Sequence, residues 1–253
     1  MFASALTFSC HLPFRSIAPA RPRVQARAFA LLAMLAGAAL AGASSARAAG
    51  GAYLVDDYEV LEPGQCQIET WATFARNRER SFVAAPSCTP AALPWLQVGV
   101  GFERSGMTGD WASASELTLK ASIVPIERFG VGVGLAANLV YDHTERRKGG
   151  GSAIAIFTLE PIQRTRLHLN VGYERDHIAQ RDFGLWGVGA SIEPIDNLAF
   201  IAEASGRSDG QRVVQAGVRP TFFDGRVDVD FIVGRRFKVD PTTWFTVGAA
   251  IRF

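Results

Sequence analysis

Leu96-Gln97-Val98-Gly99-Val100-Gly101-Phe102-Glu103 sets how the rest of this sequence is read. Every second residue is apolar, and those between are polar or glycine. Successive side chains of a strand point to opposite faces, so a period of two builds one greasy and one polar face. The pattern returns in Glu116-Leu117-Thr118-Leu119-Lys120-Ala121-Ser122-Ile123 and in Leu167-His168-Leu169-Asn170-Val171-Gly172-Tyr173-Glu174. A less regular copy is Val227-Asp228-Val229-Asp230-Phe231-Ile232-Val233-Gly234.

Working outward, the alternation predicts strands at 65–76, 80–89, 95–104, 111–123, 130–141, 151–160, 165–175, 182–193, 197–206, 211–219, 225–235 and 243–253. Segment 151–160 alternates weakly and does not reveal its inward face, so the expectation is twelve strands, with ten as the alternative. The connections fall into two classes. Pro94, Pro125, Pro161, Pro194 and Pro220 each follow a strand, as suits a residue that removes a ladder donor. The other class is charged and glycine-rich: Asn77-Arg78-Glu79, 105–110, 143–151, 176–181, 206–210 and 237–242. The classes alternate along the chain, as short inner turns alternate with outer loops in a transmembrane up-and-down antiparallel β-barrel. A soluble β-sandwich would also alternate, burying its apolar faces in a core. The even hairpin order and uniform strand length favour the all-β barrel.

The first 48 residues read differently. Arg15, Arg21, Arg23 and Arg27 precede an apolar run from Ala28 to Ala43, followed by Ala46-Arg47-Ala48. This is the order of a cleaved secretory signal peptide, and the run is too short for a good membrane helix. The expected layout is a signal peptide at 1–48, a periplasmic N-terminal segment at 49–64 and a barrel at 65–253. Residues 50–64, with Asp56, Asp57, Glu59 and Glu62, either hang free as a periplasmic tail or tuck into the barrel. The leader holds five of the 26 basic residues and none of the 24 acids, so the remainder carries 21 against 24. A nucleic-acid partner has no compositional support. Cys66 and Cys88 remain after the leader, an even pair in an exported chain, which reads as one disulfide. Metal binding is the alternative, although no His/Cys cluster accompanies them. A first hairpin turning around Asn77 places the two cysteines opposite each other.

The last strand carries Phe245, Val247, Ala249, Ile251 and Phe253 on one face. Apolar alternation ending in a terminal aromatic resembles the signal that outer-membrane barrels present to their assembly machinery. That resemblance implies a Gram-negative outer-membrane location, with the assembly machinery as a partner during insertion. Asp56-Asp57-Tyr58-Glu59 together with Pro63-Gly64-Gln65-Cys66-Gln67-Ile68-Glu69-Thr70-Trp71 is similar to the start of uncharacterised proteobacterial barrel proteins. Some of those loosely resemble barrels associated with phenol-degradation pathways. The resemblance implies no activity.

In such a barrel the apolar face meets lipid and the polar face lines the lumen. The expected lumen lining is Glu69, Glu103, Glu116, Lys120, His168, Glu174, Glu203, Arg219, Asp228, Asp230 and Arg252. Acids outnumber bases, so an open pore should favour cations. Inward glycines, among them Gly99, Gly132, Gly187 and Gly217, leave space for a narrow pore or allow sharp curvature. The functional expectation is therefore a narrow channel for passive movement of small solutes, with a non-transporting structural or surface-binding barrel as the alternative. Arg78, Arg80, Arg146, Arg147, Lys148, Arg235, Arg236 and Lys238, in or beside outer loops, suggest contacts to lipopolysaccharide phosphates. A lipid hydrolase is less supported: His143, His168 and His177 show no recurrent serine spacing. No metal cluster or cofactor motif is present, and the G-x-G runs sit inside strands.

Overall fold

The computed structural model describes residues 52–107, 109–238 and 240–253. The expected signal peptide, 1–48, lies outside the described residues. Twelve strands follow one another: β1 Cys66–Ala75, β2 Arg80–Cys88, β3 Leu96–Met107, β4 Asp110–Val124, β5 Val131–Asp142, β6 Arg147–Ile162, β7 Thr165–Asp176, β8 Arg181–Ile195, β9 Leu198–Arg207, β10 Arg212–Phe222, β11 Val227–Arg236 and β12 Thr242–Arg252. Each pairs antiparallel with its neighbours in sequence, and β12 returns to β1, closing the barrel. Closure leaves no strand edge unpaired, which an apolar bilayer demands of any spanning sheet. At the seam Phe74 faces Phe245 and Gln67 faces Arg252. The backbones of Cys66 and Phe253 exchange two hydrogen bonds of 2.9 Å, so the chain's last residue locks the seam.

Strand faces settle the choice between barrel and sandwich. Phe102, Leu135 and Leu139 are 53%, 51% and 66% exposed on the outer surface, whereas Lys120, Glu69 and Glu116 are 0%, 3% and 3% exposed inside. A soluble sandwich would invert this arrangement, because buried charge without a partner is costly and exposed greasy bands are rare on soluble proteins. The outer surface is the one a membrane would solvate.

Most strand limits fall within a few residues of expectation. The largest departure is β6, which runs from Arg147 to Ile162. Its weak alternation has a physical cause: Ile154 and Ile156 point inward and are buried, while Leu159 points out. Both faces are apolar, so period two fades. The 105–110 loop is also smaller than expected, since β3 and β4 pair out to Met107 and Asp110. The two classes of connection alternate end for end, but Pro161, Pro194 and Pro220 lie inside the last residues of β6, β8 and β10 rather than after them, with the ladder shifting register beside the first two. The lengths of the connections do not follow the expected asymmetry, however. The longest turns, Thr89 to Trp95 and Pro125 to Gly130, lie at the end holding the chain's C terminus. The second contains a single helical turn, Ile126–Phe129, which closes on Gly130 at φ 73°, a conformation glycine adopts at little cost.

The first hairpin has the expected register, with Cys66 opposite Cys88. The two are joined in a disulfide with a Cα–Cα distance of 4.1 Å, which removes the metal alternative.

Candidate functional site in the lumen

Inward positions recur on every second residue, so each strand contributes one file to the lumen, polar along most strands and apolar in the middle of β6. All eleven expected lining residues face inward. Ser81 donates to Glu103 at 2.7 Å, and Gln97 donates to Ser87 at 3.0 Å. His168 shares a 3.1 Å hydrogen bond with Thr158. Arg219 meets Asp230 at 2.8 Å, and Arg252 pairs with Asp228.

The lumen is not empty. Residues 52–64 do not hang free below the barrel: they enter it and run around the inside of the wall as a strap. Leu61 donates its backbone N–H to Gln97 on β3 at 3.0 Å. Tyr58 donates to Thr158 on β6 at 3.3 Å. Asp56 and Asn170 on β7 form a reciprocal pair: the Asp56 N–H donates to the Asn170 amide oxygen at 2.7 Å, and the Asn170 amide donates back to the Asp56 carbonyl at 2.9 Å. The Leu54 N–H donates to Glu203 on β9 at 2.8 Å. Gln215 on β10 donates to the Ala52 carbonyl at 3.1 Å. The Tyr53 hydroxyl donates to Asp230 on β11 at 2.9 Å. Ala52 finally packs on Trp71, Val83 and Ala85 of β1 and β2.

An extended segment leaves its backbone donors unsatisfied. Here lumen carboxylate, amide and hydroxyl oxygens accept several of them. Charge anchors the strap as well. Lys120 on β4 reaches Asp56 at 2.6 Å and Asp57 at 3.0 Å, and Arg166 on β7 reaches Glu59 at 2.9 Å. The Arg219 guanidinium lies 4.6 Å from the Tyr53 ring centre. Burial pushes the Tyr53 phenol well above its ordinary pKa; Arg219 opposes the shift and Asp230 adds to it. Tyr53 thus stays a donor.

Five inward glycines have a different use from the one expected. A Cβ at Gly132 would lie 2.3 Å from the Tyr58 ring, and one at Gly134 3.1 Å from the Tyr58 Cα. At Gly187 and Gly189 a Cβ would come within 3.1 and 3.2 Å of Val55, and at Gly217 within 3.2 Å of the Tyr53 hydroxyl. These glycines make room for the strap, and the space they free is already occupied. Tyr58 also covers an apolar patch of the inner wall formed by Ala136, Ile154, Ile156 and Leu185. That patch would otherwise face water.

Several lumen residues escaped the sequence reading. Arg207, 4% exposed, reaches Glu174 and Asp209 at 3.5 Å each and stacks on Phe183. Arg236, expected to face lipopolysaccharide, points inward and pairs with Glu79 at 3.6 Å and Asp240 at 3.5 Å. Strict parity from Ser205 and from Gly234 would have found both; assigning all terminal charges to loops hid them. Among the other basic residues expected at the outer end, Arg147 pairs with Glu145 at 3.7 Å. Lys238 donates to the Asp209 carbonyl at 3.0 Å. Arg80 and Arg235 point outward and are exposed.

The hydrolase idea meets one new fact. Register brings Ser115 to 3.0 Å from His143 on the outer surface, a proximity no linear spacing reveals. Catalysis would need a third group to orient the imidazole. Among the described residues the ring's other contact is Tyr141, edge-on at 5.1 Å, which cannot accept a proton as a carboxylate does.

Solved structures share the architecture. The KdgM porin superposes with a TM-score of 0.61 at 7% identity, covering 74% of this chain and 99% of that one. The NanC porin gives 0.59 at 3% identity, covering 73% and 98%. An outer membrane channel from Pseudomonas putida F1 gives 0.54 at 10% identity, covering 78% and 98%. At such identities the likeness is one of fold. No curated protein sequence matches this chain. A family profile matches residues 37–253, a span that takes in the strap and every strand, and the chain belongs to that family, the uncharacterised conserved protein UCP029691.

Proposed function

We propose that this chain is an integral outer-membrane barrel working as a narrow channel for small solutes, with a cation-favouring lumen narrowed by residues 52–64. The observation that carries the reading is how the strap is held. It is bound largely by hydrogen bonds and ion pairs to lumen side chains, and the more exposed members among these, such as Arg166–Glu59, are contacts that water can replace at modest net cost. A permanent core would instead be sealed by apolar packing. Hydration of the lumen is supported by Gln67 and Glu69, which are buried yet keep polar atoms without a protein partner, a state that calls for water. The porin and channel names of the similar barrels agree with this reading. The strap adds Asp56, Asp57 and Glu59 to the lumen acids, so the acid excess persists beside Arg166, Arg207 and Arg236. On the same reading the C-terminal face ending in Phe253 is the assembly signal, and the end of the barrel opposite it faces the cell exterior.

Planar-bilayer recording tests the proposal. The chain beginning at residue 49 should give small, cation-selective steps, and deletion of residues 52–63 should enlarge them severalfold. Absence of conductance in both, with each barrel folded by heat-modifiable gel mobility, would overturn the channel in favour of a non-transporting barrel. The apolar patch under Tyr58, with the packing of Ala52 on Trp71, Val83 and Ala85, favours this second reading, since it gives the strap sealed anchors.

A further inference from the structure

The outer surface is not uniformly convex. Across β8 to β11 it holds a groove of about 860 Å³ lined chiefly by outward residues, including Val188, Ala190, Ala202, Ala204, Ala216 and Val233. Register explains it. Val188, Ala204, Val214 and Arg235 lie side by side on consecutive strands, as do Ala190, Ala202, Ala216 and Val233. The alanines form a low floor between taller neighbours. On β9 the outward series continues to Gly206, over which Trp186 lies so closely that a Cβ would meet its ring nitrogen at 2.7 Å.

Two cations stand at the outer end of this groove. Arg235 belongs to its lining, and Arg212 is its diagonal neighbour across the β10–β11 ladder. Side chains so placed start about 7–8 Å apart, within reach of a single phosphate. Both are exposed, and among the described residues neither forms an ion pair. Contrast Arg175, equally outward on β7, which Asp182 neutralises at 2.8 Å. Arg235 also lies 5.3 Å from the Phe237 ring centre, which steadies its guanidinium. A membrane-facing trough of methyl groups ending in uncompensated guanidinium groups is complementary to an acyl chain attached to a phosphorylated headgroup. Guanidinium binds phosphate by paired, charge-assisted hydrogen bonds.

We infer that the β8–β11 groove is a binding site for lipopolysaccharide: an acyl chain of its lipid A lies along Ala202, Ala204 and Ala216, and a lipid A phosphate sits between Arg212 and Arg235. The assignment to this lipid follows from the site's position at the end opposite the chain's C terminus. On the outer-membrane reading above, that end lies in the outer leaflet.

The test uses the full barrel purified in detergent and native mass spectrometry with added lipid A. The expected result is one lipid A retained per barrel. The Arg212→Gln/Arg235→Gln double variant should weaken retention about tenfold or more, the loss of two charge-assisted contacts. Lipid A stripped of its phosphates should bind the unaltered barrel as weakly. Ala204→Leu, which fills the floor, should lower retention with both arginines in place. The arginine variants alter exposed side chains and carry the test even if Ala204→Leu fails to fold. Equal retention by the double variant would overturn the site. So would equal competition by phosphatidylglycerol, which would mean an unselective anionic annulus. Channel conductance is not read in this assay, so failure here leaves the channel proposal standing, and loss of conductance would leave this site untouched.

Discussion

The inner and outer faces of the same twelve strands solve opposite problems. On β4, Leu117 and Leu119 point outward at 45% and 41% exposure, while Glu116, Thr118 and Lys120 between them are almost wholly buried. The outer face needs no partner, because hydrocarbon solvates it. The inner face holds carboxylates, guanidiniums and an ammonium in a confined space, where each must be paired or hydrated. The chain meets that need partly with cross-strand pairs such as Arg219–Asp230 and partly by threading its own residues 52–64 among the charges. Outer stability is thus spread over many equivalent residues. Inner stability is concentrated in a few specific contacts.

That contrast can be broken at named positions. The largest effect is expected from Lys120→Met, which leaves Asp56 and Asp57 without the ammonium that joins them to the wall. Breaking a buried pair on one side costs about 3–5 kcal/mol, and denaturant titration in detergent should show it. A triple variant that also carries Asp56→Asn and Asp57→Asn should recover most of the loss. If Lys120→Met is silent, inner contacts are not the concentrated ones.

On the outer face, Val171→Arg places a charge midway along β7, where a lipid-facing arginine costs about 2–4 kcal/mol in a bilayer. Unfolding from lipid vesicles should report this penalty, and it should shrink in detergent micelles. An equal loss in both media would mean that Val171 does not face hydrocarbon. Between the two faces stands Gly132→Ala. The new methyl must push Tyr58 aside, so overpacking should cost about 1–3 kcal/mol and make residues 52–64 accessible to added protease. Protection of those residues in the variant would show that Tyr58 has room elsewhere. The smallest effect is expected from Cys66→Ser with Cys88→Ser. Nine paired positions already fasten β1 to β2, so the loss should stay near or below about 2 kcal/mol, the lower end for a disulfide. A collapse of folding yield would instead give the bridge a role in assembly.

Register was open to reading from the linear order because one interval governs it. A hairpin turning at Asn77 sets Cys66 against Cys88, and the disulfide follows from the turn. Inward polar residues could be named for the same reason: on a strand, parity alone chooses the face. Parity failed where both faces are greasy, as at Ile154 and Ile156, and it went unapplied where terminal charges such as Arg207 and Arg236 resembled loop residues. The Ser115–His143 contact spans two strands and needed the β4–β5 register before it became visible.

Alternation and the terminal aromatic pointed by themselves to a barrel with hydrocarbon outside and charge within, since a period of two constrains every strand locally; the count of twelve rather than ten, and the choice against a sandwich, came from the structure. The fate of residues 52–64 was a matter for tertiary structure alone. They have no periodicity of their own, and six of their partners, Gln97, Lys120, Thr158, Asn170, Glu203 and Asp230, come from six different strands. Only closure of the barrel brings those six side chains into one small volume, where unsatisfied backbone donors and unpaired charges find one another.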